Sequence, residues 1–521
     1  MERSRTKLVC TIGPATADRV GDLVAAGMDV ARVNFSHGTP DDHKAYVHAV
    51  RAAAHSARRS VAVLVDLPGP KIRLGELEGG AVTLETGATF TLRSDTQAQA
   101  AATDVAVTAT APPDAADLVT ELTGADDASP PSDDDDDTAG SAMTVSEPAS
   151  VPSAIGDASS AHVSARGLAA MLEVGDRVLL ADGAAELRVT AISGSAVATE
   201  VIHGGMVRSR SGVNIPSSRL TGYGLTDDDR AAIPRALELR ADLIAQSFVR
   251  SAEDVKALRA LLPADGPRVV AKIETRAAVD GFDGILEVAD GIMVARGDLG
   301  VDIPFEEVPL IQKQLIERAS NADRFTIVAT QMLESMTGAP RPTRAEASDV
   351  ANAVLDGADA VMLSAETAIG AYPVEALQAM AAICRATEKG PEASFVSADE
   401  DKSDPPKAMV LAAAVMSGLT EVGAIWCFTR SGRTAELLSF TRPSVPIVAF
   451  TLSPIIARRL AVRRGVIPMI LPAAGKGESL IERMEAAWRT QRDRSSYQSV
   501  VLVTTSQQPA GINRIEIHRL G

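Results

Sequence analysis

Eight short apolar runs, each rich in β-branched residues, constrain this fold more than any other feature of the sequence. Each run is apolar throughout, as expected of a strand that is buried on both faces. A helical pattern follows nearly every run. Eight such units predict an α/β fold, a (β/α)8 TIM barrel, with a doubly wound sheet as the alternative. The predicted strands are Leu8–Ile12, Val30–Asn34, Ala62–Asp66, Leu243–Ser247, Val269–Ile273, Gly291–Ala295, Thr326–Thr330 and Ala360–Ser364.

The pattern changes between the third and fourth runs. Short alternating strands with glycine turns fill this stretch, which predicts an inserted all-β domain at residues 70–216. The barrel is then expected in two parts, residues 1–69 and 217–395. A polar linker from Ser397 to Pro406 precedes a C-terminal α/β domain, predicted at residues 396–521.

An acidic segment at about residues 113–162 interrupts the inserted domain. It holds 12 acids and no Lys or Arg, and it has few apolar side chains. Such a composition cannot offset the entropy of ordering, so we predict a disordered insertion. The alternative is a strip that collects cations at the run Asp133 to Asp137.

Charge and composition exclude several functions. The formal net charge is −17 and aromatic residues make up 3%, which argues against a nucleic-acid partner. No apolar run is long enough for a membrane helix, and none near the start resembles a signal peptide. Three widely separated cysteines make no disulfide framework. We therefore expect a cytoplasmic protein.

Polar residues follow the predicted strands at the end where barrel enzymes work. For any single position, an ion pair at the barrel mouth is an equally good interpretation. Convergence from six or more strands favours a site. The residues are Arg32, Asn34, Ser36, His37, Asp66, Ser247, Lys272, Glu274, Arg296, Gly297, Asp298, Thr330, Gln331, Ser364 and Glu366.

Two of these carboxylates, Glu274 and Asp298, end neighbouring strands and could share one Mg²⁺. Lys272 lies two residues before Glu274 and should therefore face the same side of the strand. A lysine beside a metal carboxylate suits a phosphoryl group in transfer. A simple Lys272–Glu274 salt bridge is the alternative. The glycines of residues 296–300 predict a tight loop that enters a helix and can approach an anion.

Nine strings of the sequence together resemble the pyruvate kinase family. They occur in uninterrupted order from Lys7 to about Arg385, and the 28-residue string from Pro340 to Thr367 is highly specific. The strings are KLVCTIGPAT (7–16), ARVNFSHG (31–38), GPKIR (69–73), AQSFVR (245–250), AKIET (271–275), DGIMVARGDLGVDIP (290–304), ATQMLESM (329–336), PRPTRAEASDVANAVLDGADAVMLSAET (340–367) and YPVEA (372–376).

The resemblance implies a barrel, a small β-barrel lid inserted after the third strand, and a C-terminal α/β domain. It implies transfer of a phosphoryl group from phosphoenolpyruvate to ADP, giving pyruvate and ATP, with Mg²⁺ or Mn²⁺ as cofactor. Family members form tetramers, so a homotetramer is expected.

The resemblance also implies roles for individual residues. Glu274 and Asp298 match the metal ligands, and Lys272 matches the lysine that stabilises the moving phosphoryl group. Substrate-binding positions match Arg32, Lys272, Gly297, Asp298 and Thr330, and Ser364 matches a hydroxyl thought to help protonate the enolate. The nucleotide-side positions match Asn34, Phe35, Ser36, His37 and Arg73.

The sequence departs from the family at the monovalent-cation region, which comprises Asn34, Ser36, Asp66 and Lys71. The family's threonine ligand is Leu67, which offers no side-chain oxygen, and its glutamate is Lys71. A lysine ammonium is a fixed charge that can replace a mobile cation. We therefore expect that K⁺ is not required. The alternative is that Lys71 pairs with a surface acid.

The predicted lid departs from the family as well. A family lysine has become Ser211, so Arg208 or Arg210 is expected to reach the ADP phosphates instead. The residue before the acidic turn Asp182-Gly183 is Ala181, where the family has an acid.

A loop in the C-terminal domain predicts an effector site. Hydroxyl and backbone N–H groups follow a strand and open a helix, an arrangement that suits a phosphate ester. A plain helix cap is the alternative. The residues are Thr429, Ser431, Gly432, Arg433 and Thr434.

Two other functions fit parts of the sequence. One is a barrel lyase that acts on a Mg²⁺-bound enolate, but that class lacks the inserted and C-terminal domains. The other is a catalytically silent metabolite sensor, whose expected mark is loss of Lys272 or of a metal carboxylate. Lys272 and both metal carboxylates, Glu274 and Asp298, are present.

Overall fold

A computed structural model describes most of the chain and divides it into two compact units. The first unit comprises Met1–Lys71 with Asn214–Gly521, and the second comprises Ile72–Val213. The residues described are 3–70, 72–94, 155–165, 167–181, 183–216, 224–390, 405–473, 478–490, 498–505 and 512–520.

Eight parallel strands of the first unit close into a ring, in the order β1-β16-β15-β14-β13-β12-β3-β2. The predicted barrel is therefore confirmed, and the doubly wound alternative is wrong. Each strand lies within one residue of its predicted bounds. The strands are β1 (Lys7–Thr11), β2 (Val30–Asn34), β3 (Ala62–Asp66), β12 (Leu243–Gln246), β13 (Arg268–Ile273), β14 (Gly291–Ala295), β15 (Phe325–Ala329) and β16 (Ala360–Leu363).

The barrel strands bury both faces, which explains why their sequences are apolar without alternation. Val9, Leu64 and Met293 belong to a cluster inside the ring. Their neighbours Leu8 and Val63 belong to the larger cluster between the ring and its helices. Strand pairing with this two-sided burial fixes which side chains emerge at the carboxyl ends of the strands.

Helices surround the ring, and three of them begin with a Thr capping box, at Thr39, Thr226 and Thr343. The 3₁₀ turns are Ala17–Arg19 and Glu334–Thr337. The α-helices are Val20–Ala26, Pro40–Ser56, Asp227–Glu238, Ala252–Arg259, Arg276–Asp280, Phe282–Val288, Arg296–Asp302, Val308–Asn321, Arg344–Leu355, Ala365–Ala368 and Pro373–Thr387.

One predicted loop is a helix in the structure. Residues 296–302 form a short α-helix directly after β14, whereas the sequence predicts a tight loop at 296–300. Leu299 is buried and supplies an apolar anchor for this turn, which the two flanking glycines concealed in the sequence. The predicted helix that follows begins at Val308.

The inserted unit consists of short strands, as predicted. Six form a sheet in the order β11-β7-β8-β9-β5-β6, and β10 pairs with β4. The described strands form these two sheets rather than a closed ring, because β6 and β11 lie at opposite edges. The elements are a 3₁₀ turn (Glu78–Gly80), β4 (Ala81–Leu84), β5 (Thr89–Arg93), β6 (Ser160–His162), a helical turn (Leu168–Met171), β7 (Arg177–Leu180), β8 (Ala185–Ser193), β9 (Ala196–His203), β10 (Gly205–Arg208) and β11 (Val213–Asn214).

The predicted acidic insertion lies outside the described residues except at its end. Ser160–His162 form β6, which pairs in parallel with β5. The insertion was therefore predicted too long, because the buried Ala161 places this end in the sheet. The run Asp133 to Asp137 is not among the described residues.

The C-terminal domain is α/β, as predicted, and contains a five-stranded sheet. Its sheet has the order β19-β18-β17-β20-β21, and only β21 is antiparallel to its neighbour. The elements are helix Pro405–Leu419, β17 (Ile425–Phe428), helix Arg433–Phe440, β18 (Ile447–Thr451), helix Pro454–Leu460, β19 (Val466–Ile470), helix Leu480–Arg489, β20 (Ser499–Thr505) and β21 (Ile512–Arg519).

The C-terminal domain packs into the amino end of the barrel. Ala461 and Val462 belong to the cluster inside the ring. The Arg463 guanidinium lies 4.8 Å from the centre of the Phe325 ring at the start of β15. The barrel interior is therefore completed at this end by another domain.

Two further expectations concern the cysteines and membrane-spanning helices. The three cysteines are buried free thiols, which agrees with the absence of a disulfide framework. Within the described ranges, no helix combines the length and apolar character needed to cross a membrane.

Candidate active site

Four predicted residues from three strands of the ring meet at the carboxyl end of the barrel. Lys272 lies near the end of β13 and Glu274 directly follows it. Asp66 ends β3, and Arg32 lies on β2 in register with Leu64. All four side chains are largely buried, so their charges act in a poorly solvated place.

Lys272 contacts three polar groups. Its Nζ lies 2.9 Å from Glu274 Oε1 and 3.3 Å from Asp66 Oδ1. It also donates a hydrogen bond of 2.8 Å to Ser247 Oγ. The Lys272–Glu274 salt bridge named above as an alternative does exist, but it is one part of a larger cluster.

Asp66 joins the two cations of this cluster. Its Oδ2 accepts from Arg32 Nε at 2.8 Å and lies 2.6 Å from Arg32 Nη2. Thr11 Oγ1 accepts a further bond of 3.0 Å from Arg32. Arg32 and Lys272 are therefore held on opposite oxygens of one carboxylate.

Sequence reasoning gave no role to two of the residues that complete the cluster. Ser247 Oγ accepts from Lys272 and donates to the Leu67 carbonyl at 2.9 Å. Thr11 anchors Arg32 from β1. Ser247 was identified as a strand-end residue, because it ends a predicted strand, but without a specific role. Thr11 carries no such signal, because it sits inside an apolar run.

The electrostatics of the cluster follow from burial and close charges. Burial alone would lower the pKa of the Lys272 ammonium, but Asp66 and Glu274 outweigh burial and raise that pKa above its ordinary value. Burial raises the pKa of the Glu274 carboxyl, Lys272 opposes this rise, and Asp298 adds to it. Lys272 therefore holds its proton more tightly than an ordinary lysine. The neighbouring Glu274 loses its proton less readily than an ordinary glutamate.

The two predicted metal carboxylates fit a hard divalent cation. Glu274 Oε1 is buried and, although close to Lys272, accepts no well-aligned hydrogen bond. Asp298, on the helix after β14, is only partly buried, and its charge acts on both Glu274 and Lys272. Within the described ranges, no three Asp, Glu, His or Cys side chains form a complete metal cage. Two carboxylates are sufficient for Mg²⁺, which keeps positions for water and substrate.

The predicted carboxylate-binding pair is formed by the first turn of helix Arg296–Asp302 and the segment after β15. The Gly297 N–H donates a bond of 2.8 Å to Thr330 Oγ1. Thr330 has a left-handed backbone, with φ of 67°, and its hydroxyl donates to the Ala329 carbonyl at 2.6 Å. The structure therefore brings these two groups together at the ends of β14 and β15.

Ser364 ends the β16 segment with an unsatisfied hydroxyl. Its Oγ is buried and makes no hydrogen bond within the described structure. Its backbone N–H donates to Glu366 Oε2 at 2.7 Å, and Glu366 Oε1 accepts from Leu333 N at 3.1 Å. These two backbone hydrogen bonds make Glu366 a local anchor. Burial raises the pKa of its carboxyl. A free buried hydroxyl can exchange a proton with a substrate.

The predicted nucleotide residues of the first unit form one turn after β2. Asn34 Oδ1 accepts from Ser36 N at 3.0 Å, and His37 is exposed. The Phe35 ring is buried and stacks on His43, with ring centres 4.4 Å apart. The ring of Phe35 therefore packs in the core, and only the polar members of the turn face outward.

The remaining predicted nucleotide residues belong to the inserted unit or are not described. Arg73 Nη1 donates to the Arg210 carbonyl at 3.0 Å. The Arg210 side chain is exposed and pairs with Glu76 at 2.7 Å. Ser211 Oγ accepts from Arg208 N at 3.1 Å. Lys71 and Asp182 lie outside the described residues.

The predicted effector loop has a tight local structure. Gly432 has a left-handed φ of 96° and caps helix Arg433–Phe440. Its N–H donates to the buried Thr429 hydroxyl at 2.9 Å. The Arg433 guanidinium is half exposed and lies 3.6 Å from Asp323 Oδ2 of the barrel unit. These contacts fix the turn before the helix, where Ser431 and Arg433 are exposed and Thr434 is buried.

Comparison with known proteins identifies the family. A family model described as pyruvate kinase, barrel domain, matches residues 3–120 and 130–377, and a second, pyruvate kinase, alpha/beta domain, matches residues 407–518. A pyruvate kinase of Geobacillus stearothermophilus is 38% identical over 499 residues, covering 94% of this chain and 75% of the relative. A pyruvate kinase of Mycobacterium tuberculosis (strain ATCC 25618 / H37Rv) is 36% identical over 524 residues, covering 99% and 98%. One from Mycobacterium intracellulare is 37% identical over 533 residues, with the same coverage. With these matches to both domains and the barrel-mouth cluster described above, the chain belongs to the pyruvate kinase family of enzymes.

Proposed function

We propose that this chain transfers the phosphoryl group of phosphoenolpyruvate to ADP, giving pyruvate and ATP, the final step of glycolysis. The observation that carries the proposal is the cluster of Lys272 and Arg32 around Asp66, beside Glu274 and Asp298. Fixed cations at the place where phosphoryl charge develops are what this reaction needs. Formation of ATP and pyruvate from the two substrates tests it. A pure preparation that forms neither product would overturn it.

The two cations are proposed to act on the phosphoryl group. Arg32 presents a planar fork and Lys272 a compact charge, and both are pre-oriented by Asp66. During transfer, the bond between phosphorus and the enol oxygen breaks, and a terminal ADP oxygen bonds to phosphorus. Because both cations are already fixed, little reorganisation accompanies this step.

Three further residues are proposed to hold the rest of the substrate. The Gly297 N–H and the Thr330 hydroxyl, which bond to each other, are proposed to bind the substrate carboxylate. The enolate left after transfer takes a proton at its terminal carbon. Ser364 Oγ, buried and without a hydrogen bond in the described structure, is proposed to deliver that proton.

Glu274 and Asp298 would hold Mg²⁺, or Mn²⁺ in its place. Bound there, the ion neutralises phosphoryl charge and orients the transferring group. The buried, poorly satisfied oxygen of Glu274 supports this assignment.

Activity is expected without added K⁺. Asp66, a predicted ligand, already pairs with Arg32 and Lys272, and the Asn34 oxygen accepts a backbone N–H. Leu67 is buried and apolar. Steady-state rates in buffer free of Na⁺ and K⁺ should change less than about threefold on addition of KCl, because fixed charges replace the mobile ion.

A matched variant sharpens this test. Leu67→Thr with Lys71→Glu should lose activity without K⁺ and recover it with KCl. A tenfold or greater rise of the unaltered enzyme on adding KCl would contradict the proposal.

The loop at Thr429–Thr434 is proposed to bind a phosphorylated effector. The helix start and the half-exposed Arg433 suit a phosphate ester. At sub-saturating phosphoenolpyruvate, one or more sugar phosphates or nucleotides should raise the rate, and Arg433→Ala should abolish this rise without changing the basal rate. A panel with no activator would count against the site and favour a plain helix cap.

A cytoplasmic homotetramer is proposed from the family. Phe305 and Leu310, 81% and 61% exposed, offer apolar surface for association between copies. Light scattering on the purified chain measures this, and a monomer mass would contradict it.

A further inference from the structure

The segment that follows β15 has a strained backbone at the predicted substrate site. Thr330 and Gln331 are consecutive non-glycine residues with left-handed φ values of 67° and 54°. Side chains disfavour this region, so such a pair persists only where surrounding contacts hold it. Thr330 carries a proposed substrate contact, so whatever holds the segment also sets the position of that contact.

The buried side chain of Arg296 holds this segment. Its Nη2 donates to the Thr330 carbonyl at 2.7 Å and to the Gln331 carbonyl at 3.1 Å. The same nitrogen lies 2.9 Å from Met332 Sδ. Its Nε donates a longer bond of 3.3 Å to the Thr330 carbonyl. One guanidinium therefore spans the carbonyls of both left-handed residues.

Arg296 is itself oriented from the other side. Its Nη1 donates to Asp349 Oδ1 at 2.7 Å, on helix Arg344–Leu355. The Arg296 side chain is only 7% exposed, whereas that of Asp349 is 36% exposed. Asp349 thus fixes the guanidinium plane from the protein surface.

The residue after Arg296 contacts the same threonine. The Gly297 N–H donates to Thr330 Oγ1 at 2.8 Å. Thr330 therefore accepts two hydrogen bonds from consecutive residues. Its carbonyl accepts from the Arg296 side chain, and its hydroxyl oxygen accepts from the Gly297 N–H. Displacement of the guanidinium would release the carbonyl and tilt the hydroxyl.

We propose that Arg296 is a positioning residue that sets Thr330 and Gly297 for the substrate carboxylate. The inference rests on the proposed function. Arg296 acts through the strained Thr330–Gln331 backbone and not by touching substrate. The planar fork is essential, because a lysine ammonium cannot reach both carbonyls and Asp349 in one geometry.

Kinetic constants of Arg296→Lys and Arg296→Met test the proposal. We expect KM for phosphoenolpyruvate to rise about tenfold or more and kcat to fall, since small misplacements of a binding group cost up to about a hundredfold. KM for ADP and the binding of Mn²⁺, measured by electron paramagnetic resonance, should change less than about twofold. Arg276→Met is the matched control, because Arg276 is a partly exposed arginine paired with Glu307.

A second variant separates positioning from general packing. Gln331 is exposed, and glycine adopts its left-handed φ without strain. Gln331→Gly alone gives the reference rate for the double variant. Combined with Arg296→Met, it should recover at least about threefold in kcat/KM for phosphoenolpyruvate, because the backbone then needs less holding. A purely structural role of Arg296 predicts no such recovery.

Asp349→Asn keeps the test available if Arg296→Met fails to fold. It should raise KM for phosphoenolpyruvate by about two- to fivefold. Unchanged KM for phosphoenolpyruvate in Arg296→Lys and Asp349→Asn, with an active parent enzyme, would overturn the inference alone. A parent enzyme that forms no ATP from phosphoenolpyruvate would overturn the proposed function instead.

Discussion

Replacing Lys272 by methionine is expected to lower kcat for ATP formation by about a thousandfold or more. A preorganised charge at the reacting group is worth about 10²–10³ in rate, and Lys272 also helps to set Asp66 and Glu274. A coupled assay of pyruvate and a direct assay of ATP measure the loss.

The variant is also expected to be less stable. It leaves two buried carboxylates without their shared cation, and breaking a buried ion pair costs about 3–5 kcal/mol. Rates are therefore compared per folded molecule, judged by circular dichroism. Lys272→Arg, which keeps the charge but not its shape, should retain the fold and lose at least about tenfold in rate.

Lys256→Met is the matched control for this prediction. Lys256 is exposed and forms an i,i+3 pair with Glu253 at 3.6 Å, which contributes little to stability. It should leave both rate and stability unchanged. A Lys272→Met enzyme with more than a tenth of the parental rate would remove Lys272 from the centre of the reaction.

Neutralising either metal carboxylate should give the second large effect. Glu274→Gln and Asp298→Asn are each expected to lower kcat/KM by about a hundredfold or more and to weaken binding of the divalent cation. Loss of one of two protein ligands removes both charge and orientation from a hard ion. Titration of Mn²⁺, followed by electron paramagnetic resonance, reports binding without reference to turnover.

The two variants should differ in stability. Glu274 is buried, and burial raises the pKa of its carboxyl. The neutral amide in Glu274→Gln removes the ion pair with Lys272, which is 2.9 Å long. Asp298 is partly exposed, and its replacement should barely change the midpoint of thermal unfolding. Glu306→Gln is the control, because Glu306 is an exposed acid. Parental Mn²⁺ affinity in both variants would dismiss these residues as ligands.

The barrel could be predicted from the sequence because its strands are buried on both sides. Val30–Asn34 and Gly291–Ala295 were predicted to the residue, since apolar runs with sharp polar ends leave little choice of boundary. The same ends revealed Lys272 and Glu274, because strand periodicity alone places them on one side. Local pattern was sufficient wherever one strand determined the answer.

Contacts between distant segments could not be predicted in this way. Asp66 was assigned only to the family's monovalent-cation region, and nothing local reveals that Arg32 and Lys272 share its two oxygens. The left-handed backbone of Thr330 and Gln331 has no glycine to signal it. It depends on Arg296, 34 residues earlier in the chain. The helix at 296–302 was likewise concealed, because its glycines are typical of a loop.

The intrusion of Ala461 and Val462 into the base of the ring has a consequence for the family's evolution. Recombination of two related genes at the linker would join the barrel of one parent to the C-terminal domain of the other. The Ala461–Val462 segment would then pack against barrel residues from a different parent. To pack well, such hybrids need the inward residues of β1 and β15 to come from the same parent as Ala461 and Val462. Exchange of the C-terminal domain of this chain is therefore expected to depend on these side chains as well as on the linker.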